Sequence, residues 1–277
     1  MNLILRRRPR QAVPDESGWL ARIVAWAVGL AMLVPIVVVI GLGINSSPYL
    51  NFPPSGLSSY WLGIVATSSD WRDAFQHSVI LSSSSSVLSV SLATCAALGI
   101  RDSRWPRLWQ TLMLLPLIVP SVVIALALYP FYVNVNLIGT MPGLAFAHTL
   151  ISFPYAFLTL WGAIYVLDPN LERAAASLGA NRWTVIRRIT IPLLIPAIAA
   201  ALVIAAVVSF DEIVLTLFLS SPQTVTIPVR LWSFVRENLG PELAAASLLV
   251  VLINITIMIV ALLVGQWAVR RHAAVIP

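Results

Sequence analysis

The sequence predicts an all-α integral membrane protein with about six transmembrane helices. Three observations carry this. Hydrophobic residues fill 59% of the 277 positions and charged residues only 10%, against about 25% charged in a soluble globular domain. The apolar residues gather into runs long enough to cross a bilayer, which takes about 18 or more with few charges. All 17 basic residues are arginine, and they sit where those runs end.

The runs fall near 22–44, 77–100, 109–132, 142–167, 192–220 and 244–268. Inside lipid every backbone polar group needs a partner within the protein, so these runs read as helices. A barrel would need alternating polar and apolar residues, and 34–42 and 112–118 show none. Arg6, Arg7, Arg8 and Arg10 precede the first run as they would in a secretory leader. That run exceeds a leader core of about 7–15 residues, and no A-x-A-like site follows it directly. It reads as an uncleaved first span.

The loop 45–76 follows, with Tyr60, Trp61 and Trp71 suited to the headgroup region. Its end, 71–77, is expected to lie at the interface as an amphipathic helix, a surface suited to an extracytoplasmic partner. The second span carries Ser82 to Ser86, then Ser89 and Ser91. Small residues let helices approach closely, so packing is favoured here over a serine-lined path. Cys95, the one cysteine, is expected to be a small buried residue, and a single thiol excludes an internal disulfide. Pro35, Pro116, Pro120, Pro154 and Pro196 lie inside spans and should kink them, as is common in transporters.

With the N-terminus cytoplasmic, fourteen of the seventeen arginines fall on the inner side, leaving Arg72, Arg230 and Arg236 outside. This bias puts both termini in the cytoplasm. It divides the chain into a tail 1–21, a membrane domain 22–270 and a tail 271–277. Arginines spread over helix ends do not form the clustered patch that nucleic acid requires.

The segment 168–191 is the most informative. Asp168 suits an N-cap, Pro169 the first helical position, and Gly179 the residue just past a helix end. Asn181 can cap a second short helix, and Pro192 opens the fifth span. The result is an alanine-rich helix held between two spans, with Glu172, Arg173 and Arg182 available for charged contacts at its rim. On this pattern alone it is either a docking helix or a plain structured loop.

The segment resembles the EAA signature of type I ABC-importer permeases: E-A-A, three residues, Gly, nine residues, then I-x-L-P. Here these positions hold Arg173-Ala174-Ala175, Gly179 and Ile189-Thr190-Ile191-Pro192. Arg173 stands at the usual glutamate, with Glu172 one place earlier, and Ile191 replaces leucine. The resemblance implies a type I permease fold with a cytoplasmic coupling helix. It assigns ATPase coupling to Glu172, Arg173, Ala174, Ala175 and Gly179. Ser209-Phe210-Asp211-Glu212, the stretch Ser221 to Arg230, His148-Thr149 and Phe153-Pro154 resemble the spermidine/putrescine permeases of the C-subunit type. The likeness covers about residues 20–270.

The resemblance implies a permease in the bacterial inner membrane forming half of a solute path, with a polyamine or related small cation as the cargo class. Its implied partners are ATP-binding cassette ATPase subunits, a second permease (a different one on the subfamily likeness, the alternative being a second copy of this chain), and an extracytoplasmic substrate-binding protein. No cofactor is expected on this chain. It has no G-x-x-x-x-G-K-[ST] loop, so ATP would be hydrolysed by a partner.

Pro192 to Asp211 covers about 28 Å of helix, which brings an acidic pair to membrane depth. Asp211, Glu212 and His148 are therefore the candidate pathway residues, the structural alternative being bonds to neighbouring helices. Arg230, Arg236, Glu237 and Glu242 are expected to face a binding protein or solvent. Two other transport readings remain: an ion-gradient carrier, and an importer of a non-polyamine solute. An intramembrane enzyme is disfavoured, since no second span carries an interior acid to pair with Asp211 and no H-E-x-x-H is present.

Overall fold

The computed structural model describes residues 18–237 and 239–273, and all described secondary structure is helical apart from one isolated bridge between Asn45 and Leu57. Most of the expected tail 1–21 and the last residues of the tail 271–277 lie outside the described residues. Helix α1 (Gly18–Gly43) begins earlier than the predicted first span. The short α2 (Tyr60–Thr67) precedes α3 (Ser69–Arg101). Then come α4 (Pro106–Leu114), α5 (Ser121–Asn134) and α6 (Met141–Val166). The segment between spans four and five holds α7 (Pro169–Ser177) and α8 (Arg182–Val185), which passes through a π-helical stretch, Ile186–Thr190, into α9 (Ile191–Phe210). Helices α10 (Val214–Leu219), α11 (Ile227–Glu237) and α12 (Pro241–Ala273) complete the chain.

Among the described residues, four helical bodies have the length and apolarity to cross a membrane: α1, α3, α6 and the continuous Arg182–Phe210. The predicted third span is a bent pair. The segment Pro106–Leu117 meets α5 at 89°, with Pro116 in a tight 3₁₀ turn and Pro120 capping α5. Two prolines five residues from end to end explain the bend, since each removes a backbone donor. The predicted fifth span also breaks, after Phe210, and resumes as α10. Pro35, Pro154 and Pro196 do lie inside helices, as does Pro130.

Helices α3, α6 and α9 form the centre. On α3 the buried positions Ser82, Ser85, Ser86, Ser89, Ala93 and Ala97 recur at three- and four-residue steps, tracing one helical face. Against them lie Ser152, Ala156 and Leu160 of α6 and Ala201, Ala205 and Ser209 of α9, all buried. Small side chains on all three helices let the backbones approach, and the hydroxyls bond where they meet. Ser89 Oγ lies 2.7 Å from Ser152 Oγ, and Ser85 Oγ donates to Ser209 Oγ at 2.8 Å. The serine run is thus packing material. Cys95 is exposed rather than buried, because it falls off this face between Ala93 and Ala97.

At the end remote from α7, the structure differs from expectation again. Residues 71–77 are not a separate interfacial helix but the first turns of α3, whose 33 residues exceed what a bilayer core needs. Trp71 is 2% exposed, and its Nε1 donates to Glu242 at 2.7 Å. Arg230 lies over the Trp71 ring and pairs with Asp70 at 2.6 Å, while Arg236 stacks on Trp232. Arg230 and Glu242 therefore hold α3, α11 and α12 together, although they were expected to face outward, whereas Arg236 and Glu237 are exposed, as expected. Helix α1 is peripheral: of its residues only Gly18 and Gly43 are buried, and a Cβ at Gly43 would stand 2.8 Å from Leu248 of α12.

Candidate functional site

The α7–α8 segment is built by local chemistry. Asp168 accepts the Asn170 N–H at 2.9 Å, Pro169 needs no donor in the first turn, and Glu172 places negative charge where the helix dipole favours it. The helix ends in a Schellman motif. Gly179, at φ +86°, donates to Ala176 O at 3.0 Å, and Ala180 donates to Ala175 O at 3.1 Å. Asn181 then caps α8 by accepting the Thr184 N–H at 2.8 Å.

This unit has two unlike faces. Facing outward are Arg173, Ala174 and Gly179, with Leu178 (89% exposed) and Trp183 (68% exposed); Ala175 is half-buried. Facing inward is Glu172. Its two carboxylate oxygens each accept from a terminal nitrogen of Arg101 at 2.8 Å, and Thr190 Oγ1 donates to Oε1 at 2.7 Å. Next to it Arg182 pairs with Asp102 at 2.6 Å. Glu172 is thus not a rim contact, as the spacing suggested, but a tie to the end of α3, while Arg182 does lie at the rim, 71% exposed, and reaches Asp102 just past α3. The Arg101 guanidinium, helped by the Thr190 hydroxyl, holds the Glu172 carboxyl below the usual carboxylate range despite partial burial. Between this segment and the ends of α3 and α6 lies a cleft of about 540 Å³.

The pathway candidates gather around the break between α9 and α10. His148 is fully buried. Its Nδ1 lies 2.9 Å from Ser209 Oγ and 3.2 Å from Ser209 O, and its Nε2 lies 2.9 Å from Thr216 Oγ1. Contact with a carbonyl needs a hydrogen on Nδ1, which leaves Nε2 to accept from Thr216. His148 thus brackets the break from inside and lines no surface in this conformation. Glu212 Oε1 accepts from the N–H groups of Val214 and Leu215 at 2.7 and 2.9 Å, capping α10. Asp211 caps the end of α9 and is exposed. The three residues share one region without touching through their side chains. Ser209 stands out in the sequence only as part of the stretch resembling the C-subunit permeases, with no role attached, and no local pattern marks Thr216. Among the described residues no three His, Cys, Asp or Glu side chains converge as a metal would require.

A family model described as the binding-protein-dependent transport system inner membrane component matches residues 89–272. The chain belongs to that family. This permease is 23% identical over 238 residues to the spermidine/putrescine transport system permease protein PotC of Escherichia coli, covering 85% of this chain and 89% of PotC. It is 27% identical over 245 residues to the putrescine transport system permease protein PotI of Escherichia coli, covering 85% and 86%. With the molybdenum transport system permease protein ModB of Mycobacterium bovis it shares 34% over 210 residues, covering 70% and 79%. Among solved structures, a chain of a bacterial ABC transporter for the acidic polysaccharide alginate superposes with a TM-score of 0.63 at 20% identity, covering 92% of this permease and 99% of that chain. A chain of the inward-facing MetNI methionine ABC transporter gives 0.61 at 12%, covering 70% and 94%. These likenesses fix the fold as that of an ABC-importer permease, and the family is one of bacterial inner-membrane transport components.

Proposed function

We propose that this chain is one permease subunit of an ATP-driven, binding-protein-dependent importer, and that it forms half of the path for a small cationic solute of the polyamine class. The observation that carries the reading is the two-faced α7–α8 unit. Its inner face is bound to the spans by ion pairs, and its outer face leaves Leu178, Trp183 and Ala174 exposed among the described residues. Apolar side chains at the rim of an otherwise membrane-embedded protein suit a groove on another protein. That protein is an ATP-binding cassette ATPase, which lies in the cytoplasm together with both termini of this chain. A second permease completes the path, and an extracytoplasmic binding protein delivers the cargo. The Glu172 to Gly179 stretch serves as the coupling segment, Arg173, Ala174, Ala175 and Gly179 by docking. No cofactor belongs to this chain, and ATP is hydrolysed by the partner.

The cargo class is supported by PotC and PotI together with the exposed carboxylate of Asp211 at the α9–α10 break. A second reading, import of a non-polyamine solute, is favoured by the higher identity to ModB, a molybdenum permease.

Gentle extraction from the native membrane, crosslinking and mass spectrometry test the assembly. An ATP-binding cassette subunit and a second permease should accompany the chain at comparable abundance. Recovery of the chain alone, with uptake driven by an ion gradient, would overturn the proposal. Uptake of labelled spermidine and of labelled molybdate by the same cells separates the two cargo classes.

A further inference from the structure

Helix α3 lies at the centre of the subunit, yet it has no chain connection to the α7–α8 unit. The backbone joins that unit to α6 through Leu167 and Asp168, and to α9 through the π-helical stretch. Motion at α7 would reach α6 and α9 by covalent linkage. It would reach α3 only through non-covalent contacts: the packing of α3 on α6 and α9 along the membrane span, and a direct set at the unit itself.

Arg101 is the last residue of α3. Its planar fork meets both oxygens of Glu172 at 2.8 Å, and this bidentate geometry fixes direction as well as distance. The side chains are 29% and 23% exposed, so water and salt screen them less than an open surface pair. Thr190 is 1% exposed and donates to the same carboxylate from the junction of the π-helical stretch and α9. One residue past Arg101, Asp102 receives Arg182 of α8. Both Glu172 oxygens are thus engaged within the subunit, and the side chain points away from the docking face.

We propose that Arg101, Glu172 and Thr190, with Asp102 and Arg182 beside them, form a clamp that makes the α7–α8 unit, α3 and α9 move as one body when the ATPase moves. Arg101, Glu172 and Thr190 are positioning residues: they touch neither nucleotide nor cargo. The inference rests on the docking of α7–α8 against an ATPase. It adds that α3, the helix with no chain link to the unit, receives that motion through Glu172.

The single thiol provides a readout that needs no knowledge of cargo. Cys95 lies on α3, exposed, six residues before Arg101. An environment-sensitive probe on Cys95, in complexes whose other subunits lack reactive thiols, should respond when a non-hydrolysable ATP analogue is added. In Glu172→Gln and Arg101→Gln the ATPase subunit should stay bound at the parental ratio, while the probe response shrinks by about tenfold, a typical coupling strength. The double variant should be no worse than the poorer single one, as expected for two members of one contact. Arg101→Lys should recover only part of the response, because an ammonium cannot make the fork. Thr190→Val keeps the ion pair and should cause a smaller loss in the same direction, which carries the test if a charge variant fails to accumulate. A parent complex whose probe ignores nucleotide would overturn the clamp. So would loss of the ATPase subunit from Glu172→Gln, or losses that multiply in the double variant. Leu178→Asp separates the two readings. If it leaves the ATPase bound and coupled, the docking surface is wrong; if it releases the ATPase while the clamp variants respond like the parent, the clamp alone falls.

Discussion

Asp211 and Glu212 are consecutive, yet the end of α9 turns them to different uses. Glu212 folds back to accept two backbone N–H groups at the start of α10, while Asp211 is exposed at the C-cap of α9. Glu212→Ala should therefore lower the thermal midpoint of the detergent-solubilised protein, through loss of the roughly 0.5–2 kcal/mol that a helix cap supplies. Asp211→Asn should leave that midpoint unchanged and raise the half-saturating concentration for uptake of a cationic cargo. Identical uptake kinetics in parent and Asp211→Asn would remove Asp211 from the path.

His148 is a bracket inside the subunit. Replacing it with Leu removes two buried hydrogen bonds at about 0.5–1.5 kcal/mol each, while Ser209 keeps Ser85 and Thr216 keeps the Glu212 carbonyl. The expected result is a lower thermal midpoint and less protein in the membrane. His148→Gln, which keeps a donor and an acceptor, should restore part of both. Full stability of His148→Leu would show that those other partners suffice.

At Gly179 the constraint is backbone angle rather than space. A Cβ there would meet nothing within 4 Å, but φ is +86°. A side chain in that left-handed conformation costs about 1–2 kcal/mol. Gly179→Asn should be tolerated better than Gly179→Val, since asparagine adopts this conformation most readily after glycine. Transport per ATP hydrolysed should fall in the order Gly, Asn, Val; equal values for Asn and Val would point to a contact instead.

The depressed Glu172 carboxyl gives the clamp a defined pH range. A carboxyl whose folded pKa lies below its unfolded value stabilises the fold above the unfolded value, about 4.3, and loses that contribution as pH falls through the folded value. The groups facing it are Arg101 from α3, Thr190 from the π-helical stretch and, farther off, Arg182 of α8; Asp102 sits beyond Arg101. The difference in thermal midpoint between the parent and Glu172→Gln should stay constant from about pH 8 to about pH 5 and shrink below that. A difference already shrinking near pH 6 would contradict the assignment.

Much of the molecule was legible in its residues, for identifiable reasons. Asp168, Pro169, Gly179 and Asn181 act on their own neighbourhood, so α7 and α8 could be placed from sequence. Hydropathy locates spans because it sums over a window, and for the same reason it misses what happens within one. The 89° bend near Pro120 passes between apolar residues that score alike, and the acidic pair at the break after Phe210 is averaged away by the apolar residues on either side. The face of Cys95 needed the identity of the neighbouring helices. The role of Glu172 needed Arg101, 71 positions away, which in sequence counted only as one more inner-side arginine.

The two ion pairs behind α7 have a further consequence, for assembly rather than motion. Along α3 the order is positive then negative, Arg101 then Asp102, and the facing side chains are Glu172 and Arg182. Exchanging the partners would set Arg101 against Arg182 and Asp102 against Glu172. The pattern sets like charges against each other in that exchanged register and so disfavours it for a segment of little more than twenty residues between two spans.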